Sequence, residues 1–355
     1  MRLLGLDRGQ FSAAITHVTH LAKETHHHMS PDHPDTLTVR RNLANHRGEA
    51  GDPAGATAVL EELLPDCVRV LGPDHPDTLI TRDDLAYWRG HAGDPAGAIT
   101  AYEELLADQI RLLGPDHPDT LTTRHNLASS RSQAGDADGA ATAYEELLTD
   151  QTRVLGPDHP DTLDTRHNLA RWRGEAGDPA GAATDFEELL SDFARLLGFD
   201  HPHCLATRYN LATWRGEAGD AAGAVTVLEE LLADHVRLLG PDHPRTLDTR
   251  NSLAGWRGEA GDAAGAATAY EELLTDQTRV LGPDHPDTLD TRHNLAIWRG
   301  REGDAAGAAH ALQELLTDMV RVLGPDHPKT LTTRNKLAHW RGTAGDAAGA
   351  ATSLE

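Results

Sequence analysis

Residues 155–178 read LGPDHPDTLDTRHNLARWRGEAGD, and this stretch returns, with substitutions, every 42 residues. Its Asp-His-Pro marker begins at Asp32, Asp74, Asp116, Asp158, Asp200, Asp242, Asp284 and Asp326. Full periods therefore run over 32–73, 74–115, 116–157, 158–199, 200–241, 242–283 and 284–325, with partial units over 1–31 and 326–355. A fixed period in this range is the mark of stacked repeats, so the 355 residues are expected to form a single array and not two or three globular domains.

One period, Asp158 to Phe199, shows what the unit is. Asp158 is placed to accept from free N–H groups of a first helical turn. Pro160 is tolerated there because its missing N–H would have no partner. Asp161 sits near the positive end of the helix dipole. Leu163, Leu169, Ala170 and Trp172 then recur at helical spacing, and Gly177 ends the helix. Asp178-Pro179 starts a second helix at once, with Ala182, Phe186, Leu189 and Leu190 on one side, ending near Leu197-Gly198. A link of about two residues forces an antiparallel hairpin. One hairpin cannot bury its apolar face alone, so neighbours must stack.

The Leu169-Ala170 pair, Ala182 twelve residues later, and the LGPDHPDT link resemble the tetratricopeptide repeat, in the long form of kinesin light chains and many bacterial regulatory proteins. The resemblance covers nearly the whole chain. It implies an all-α, right-handed superhelical solenoid whose first helices line a concave groove. It also implies a non-catalytic protein–protein interaction scaffold, of the kind that serves as the sensor part of bacterial signalling proteins.

Composition narrows the partners. Asp and Glu number 56 against 32 Lys and Arg, a net charge of −24, which disfavours nucleic acid and anionic membrane. Cys67 and Cys204 lie on different units, so no disulfide framework is expected. The chain has no 18-residue apolar run and no signal-peptide core, and a cytoplasmic location is the expectation. The Arg-rich, Ala- and Gly-heavy composition reads as GC-rich bacterial coding. No phosphate loop, HExxH, CxxC or GxSxG is present. No enzyme, cofactor or metal site is therefore expected, and the histidine-rich start, with His17 and His20 on one helical face, reads as surface. The repeated Asp-His-Pro histidines read as linker residues. Arg40 and Arg47, with Glu61-Glu62, suggest a ladder of ion pairs along the stack. The recurring tryptophan, Trp88 to Trp340, suggests core packing.

Comparison between units locates a candidate site. The residue after Leu-Ala changes in every unit: Asn45, Tyr87, Ser129, Arg171, Thr213, Gly255, Ile297 and His339. Four residues earlier, on the same helical face, stand Arg41, Asp83, His125, His167, Tyr209, Asn251, His293 and Asn335. A fixed lattice carrying varied rows is what a peptide-reading groove would present; neutral surface drift is the alternative, and the second-helix row Cys67, Gln109, Gln151, Phe193, His235, Gln277 and Met319, with five residue types in seven, keeps it open. Beside the first rows, Asn42, Asn126, Asn168, Asn210 and Asn294 are similar to family asparagines that hold a ligand backbone, with a bond to the adjacent helix as the other reading. Acidic residues near this face predict a neutral or basic protein or peptide segment as partner.

Two further expectations concern contacts. Phe186, Phe193 and Phe199 cluster in one period, either as repacking or as an aromatic anchor for a partner. Leu331, Leu337 and Trp340 lie in the last partial unit and are expected to lack cover, which predicts end-to-end self-association.

Overall fold

The computed structural model describes residues 30–352. The helix and histidine cluster expected within residues 1–29 lie outside the described residues. The chain divides into two compact units, Met1–Ala176 and Gly177–Glu355. The first holds α1 (Pro34–Glu49), α2 (Pro53–Leu71), α3 (Pro76–His91), α4 (Pro95–Leu113), α5 (Pro118–Gln133), α6 (Ala137–Val154) and α7 (Pro160–Glu175). The second holds α8 (Pro179–Leu197), α9 (Pro202–Glu217), α10 (Ala221–Leu239), α11 (Pro244–Glu259), α12 (Ala263–Val280), α13 (Pro286–Glu302), α14 (Ala305–Val322), α15 (Pro328–Thr343) and the short α16 (Ala347–Thr352). Odd numbers are the first helices of each period and even numbers the second. Among the described residues there is no strand.

Within each unit every helix packs on the next, and first helices also touch successive first helices: α1 on α3, α3 on α5, α11 on α13 and α13 on α15. One cluster shows the arrangement. Leu37 and Ala44 of α1, Ala56, Leu60, Leu63 and Cys67 of α2, and Leu85 and Trp88 of α3 are all buried together. Ala44 and Ala56 are fully buried, so their small side chains allow close helix approach. The tryptophan is the bolt between periods. Its indole lies on the backbone of a glycine in the preceding first helix: Trp88 on Gly48, Trp256 on Gly216, Trp298 on Gly258 and Trp340 on Gly300.

The helix starts correct the sequence reading. The first-helix cap is the histidine, not the aspartate before it. Nδ1 of His33, His75, His117, His159, His201, His243, His285 and His327 each accepts from the backbone N–H two residues on, at 3.1–3.3 Å. The aspartate reaches instead for an arginine at the end of the same period's second helix, as in Asp32–Arg69 at 2.6 Å, Asp116–Arg153 at 2.6 Å and Asp242–Arg279 at 2.6 Å. These histidines are therefore structural, but they do more than link. The second helices start as expected, with Asp94 accepting from Gly97 N at 2.9 Å and Asp178 from Gly181 N at 2.9 Å. At the other end, Gly198 closes α8 with φ of 86°, a conformation open to glycine at little cost.

The arginine ladder exists with a change of partner. Arg40 pairs with Asp66 at 2.8 Å inside its own period, as do Arg82 with Asp108 and Arg250 with Asp276, both at 2.7 Å. The second arginine row crosses to the preceding period, with Arg89–Glu61 and Arg257–Glu229 at 2.7 Å. Beside Arg40 and Arg69, the Asp66 carboxyl is held below its usual range.

The expected bare face of the last unit is not there. Leu337 and Trp340 are buried against α14, at 1% and 8% exposure, and Leu331 alone of the three is exposed. The α14–α15 pairing supplies the cover for Leu337 and Trp340. Cys67 and Cys204 are free and buried.

Candidate functional site

The two rows singled out on the first helices come together across the joints between periods. Five residues of the earlier row, Arg41, Asp83, His125, Tyr209 and Asn251, meet in the next period the residue 43 positions on. Asp83 Oδ1 accepts from Asn126 Nδ2 at 3.3 Å. His125 Nε2 lies 3.4 Å from Asn168 Nδ2. Tyr209 Oη lies 2.7 Å from Ser252 Oγ. Asn251 Oδ1 accepts from Asn294 Nδ2 at 3.4 Å. Arg41 pairs with Asp77 and Asp84, at 3.4 and 3.7 Å. Asn126, Asn168 and Asn294 thus bond to the adjacent period, as the second of the two readings has it.

Other members are engaged as well. Asn45 donates to Asp84 at 2.9 Å and accepts from Trp88 Nε1 at 2.7 Å. Tyr87 stacks on His91, ring centroids 4.0 Å apart. Nδ1 of His125 and His293 lies 3.3 and 3.0 Å from the hydroxyls of Thr165 and Thr333. Burial lowers the affinity of both imidazoles for a proton. Asp83 is pushed up to about 6 by burial, reinforced by the charge of Asp84. Asn42, Arg171, Asn335 and His339 are exposed, Arg171 with its guanidinium over Trp172 and His339 edge-on to Trp340.

In the second unit the same rows line an open cavity of about 440 Å³. Tyr209 and Thr213 enter from α9, Asn251, Ser252, Gly255 and Trp256 from α11, and His293, Asn294, Ile297 and Trp298 from α13. Tyr270 of α12 forms part of the wall; its hydroxyl is pushed up to about 12 by burial and donates to Asn251 O at 3.0 Å. The periodicity of the first helix explains the convergence, because residues four apart share a face that one helix presents next to the same face of the following helix. Gly255 carries no side chain to fill the centre, and Ile297 supplies an apolar wall. The charged lining groups are Glu259, Arg301 and Lys336. Glu259 is already paired with Arg301 at 2.7 Å, and that guanidinium also lies over the Trp298 ring. The lining therefore carries one carboxylate, compensated by Arg301, and one further cation, Lys336, so this cavity is not acidic as the sequence led one to expect.

Two further sequence expectations change. The varied second-helix row Cys67, Gln109, Gln151, Phe193, His235, Gln277 and Met319 is buried in the joints, so its variation is internal and says nothing of surface drift. Three of them meet a threonine of the next first helix: Cys67 with Thr81, His235 with Thr249 and Met319 with Thr333. Phe186 and Phe193 are core residues, at 0% and 3% exposure, and only Phe199, at 67%, could meet a partner. Phe193 stacks on His203. Alternation alone could not separate a buried helical row from an exposed one, because both recur every 42 residues. Among the described residues no group of His, Cys, Asp and Glu could hold a metal, and no helix is long and apolar enough to cross a membrane.

Stacked helix hairpins bolted by a tryptophan, with a groove lined by the first helix of each, define a helical repeat protein. The tetratricopeptide repeat profiles match residues 35–109, 88–150, 132–194, 203–277 and 288–329. The chain belongs to the tetratricopeptide repeat family. Among curated proteins none matches it. Solved structures similar to it include a kinesin-light-chain-type protein of Podosopora anserina with nearly identical repeats, at 27% identity and TM-score 0.53, covering 58% of this chain and 97% of that one. The quorum sensor NprR from B. thuringiensis matches at 12% identity and TM-score 0.65, over 98% and 95% of the two chains. A signal-transduction ATPase with a tetratricopeptide repeat sensor, from Pyrococcus horikoshii, matches at 11% and TM-score 0.60, over 98% of this chain and 52% of that one. The last two share the fold.

Proposed function

We propose that this chain is a non-catalytic scaffold that holds an extended or helical protein segment in the groove of its second unit. The carrying observation is the cavity itself, in which Tyr209, Thr213, Asn251, His293, Asn294 and Ile297 of the varied rows converge around Gly255. The aliphatic wall at Ile297 and the amide groups of Asn251 and Asn294 suit a peptide, whose side chains need apolar contact and whose backbone needs donors and acceptors. The paired state of Glu259 favours a neutral segment over a strongly basic one. The similarity to NprR and to the ATPase sensor supports a sensing role for such a groove.

The test is selection of a displayed dodecapeptide library on the chain, followed by affinity measurement of the selected peptides. Gly255→Arg and Ile297→Asp should each weaken binding roughly tenfold or more, about 1.4 kcal/mol. Thr268→Ala, on an exposed position of α12, should leave it unchanged. Selected peptides that bind both groove variants as well as the parent would sink the proposal.

A further inference from the structure

A second cavity, of about 320 Å³, lies in the joint between α9, α10 and α11 and meets the groove at Tyr209 and Asn251. Its chemistry differs from that of the groove. His235 lines it from α10, 4% exposed. Nδ1 of His235 lies 2.9 Å from the Thr249 hydroxyl, and Nε2 is buried with no hydrogen-bond partner. A buried nitrogen in that state costs stability unless something meets it. Gln109, Gln151 and Gln277 hold the equivalent place elsewhere in the chain, so the histidine is particular to this joint.

Arg245 lines the same cavity from the first turn of α11. Most periods have aspartate at its position, Asp35, Asp77, Asp119, Asp161 and Asp287, and the remaining two have His203 and Lys329. Lys329 forms an ion pair with Asp290, 39 residues before it. The residue 39 before Arg245 is Ala206, which also lines the cavity. The carboxylate that answers Lys329 is thus missing opposite Arg245, and the guanidinium makes no ion pair or hydrogen bond with any described residue. Asp248, three residues on, is the one acid in the lining and makes no ion pair either. The acid facing it from α13 is Asp287; burial, then that like charge, make its proton harder to lose, with His243 and Arg245 acting in the opposite direction. One cavity therefore brings together a guanidinium and an exposed carboxylate, one turn apart on α11, that act on each other's charge but form no ion pair, beside a buried imidazole.

We propose that this cavity binds a small zwitterion of amino-acid size, its carboxylate against Arg245 in the place Asp290 takes beside Lys329, its ammonium toward Asp248. The site lies near the lower end of ligand-pocket volumes, about 300–1,000 Å³. A carboxylate met by guanidinium gains paired, charge-assisted hydrogen bonds, which fixes the ligand's orientation. This site does not depend on the peptide reading of the groove.

The experiment is isothermal titration of the whole chain with the free amino acids one at a time, with acetate and methylamine as half-ligands. At least one amino acid should bind one to one, and at least tenfold more tightly than either half-ligand. Ala206→Asp, which restores a carboxylate opposite Arg245, should abolish that binding with the circular dichroism spectrum unchanged. Arg245→Met should do the same and carries the test alone if Ala206→Asp unfolds. Gly255→Arg, in the neighbouring groove, should leave it intact, so the two sites fail separately. Absence of binding by every amino acid, acetate binding as tightly, or binding that survives Arg245→Met would each overturn the proposal.

Discussion

Gly258 and Gly342 hold the same place in their first helices and should respond oppositely to alanine. In an isolated helix alanine is favoured over glycine by about 1 kcal/mol. At Gly258 a methyl group would overlap the ring of Trp298, whereas at Gly342 nothing lies within 4 Å. Overpacking of this kind costs about 1–3 kcal/mol. Gly258→Ala should therefore lower the urea midpoint, and Gly342→Ala should leave it unchanged or raise it. A Gly258→Ala chain as stable as the parent would mean that Trp298 does not bolt the joint. The glycine itself was plain in the sequence, as part of each Trp-Arg-Gly. Its reason was not, because the indole that needs it comes from the next period, 40 residues on.

At the scale of the helix, the start signal was legible while the group making it was misread. Proline at the first position and the acidic residue after it marked the helix, as the structure has it at Pro34, Pro76 and Pro118. Aspartate is the stronger capping residue by propensity. Here an arginine at the end of the second helix, such as Arg279, draws Asp242 away, and His243 takes the cap. His243→Ala should cost about 1 kcal/mol, the ordinary worth of a cap, and His243→Asn should restore most of it. Equal urea midpoints for the alanine and asparagine variants would show that His243 Nδ1 contributes nothing as acceptor. The rungs between first helices are also read at this scale. Asp83–Asn126 and Tyr209–Ser252 join positions 43 apart, a spacing that a search within one helix does not examine.

For the molecule as a whole, the repeated burial of imidazole predicts how stability follows pH. His125, His235 and His293 are held below the ordinary imidazole value by burial, and His201 by burial and the charge of His203. A base with a lowered folded value binds fewer protons folded than unfolded. Its contribution is complete above about 6.5 and is lost as pH falls through the folded value. Asp83 and Asp248, raised by burial, work the other way, gaining as pH falls. Four groups against two predict a lower urea midpoint at pH 5 than at pH 7, before the paired aspartates near Arg69 and Arg279 titrate. Asp83→Asn should steepen that fall, because it removes one of the opposing groups. A midpoint that rises toward pH 5 in both chains would contradict this balance. The sequence by itself determined the repeat length, the helix hairpin, the glycine stops and the class of fold, because those follow from local propensity and a period counted along the chain. The same 31 residues occur at 140–170 and 266–296, and burial pushes both Tyr144 and Tyr270 up to about 12. What surrounds those tyrosines differs, His125 edge-on in one case and Asn251 O in the other. Only the tertiary structure decided that, along with which variable rows are buried, which pair with each other and where a cavity opens. Each of these depends on which side chain the neighbouring period brings into the joint, and the spacing within a single period carries no record of it.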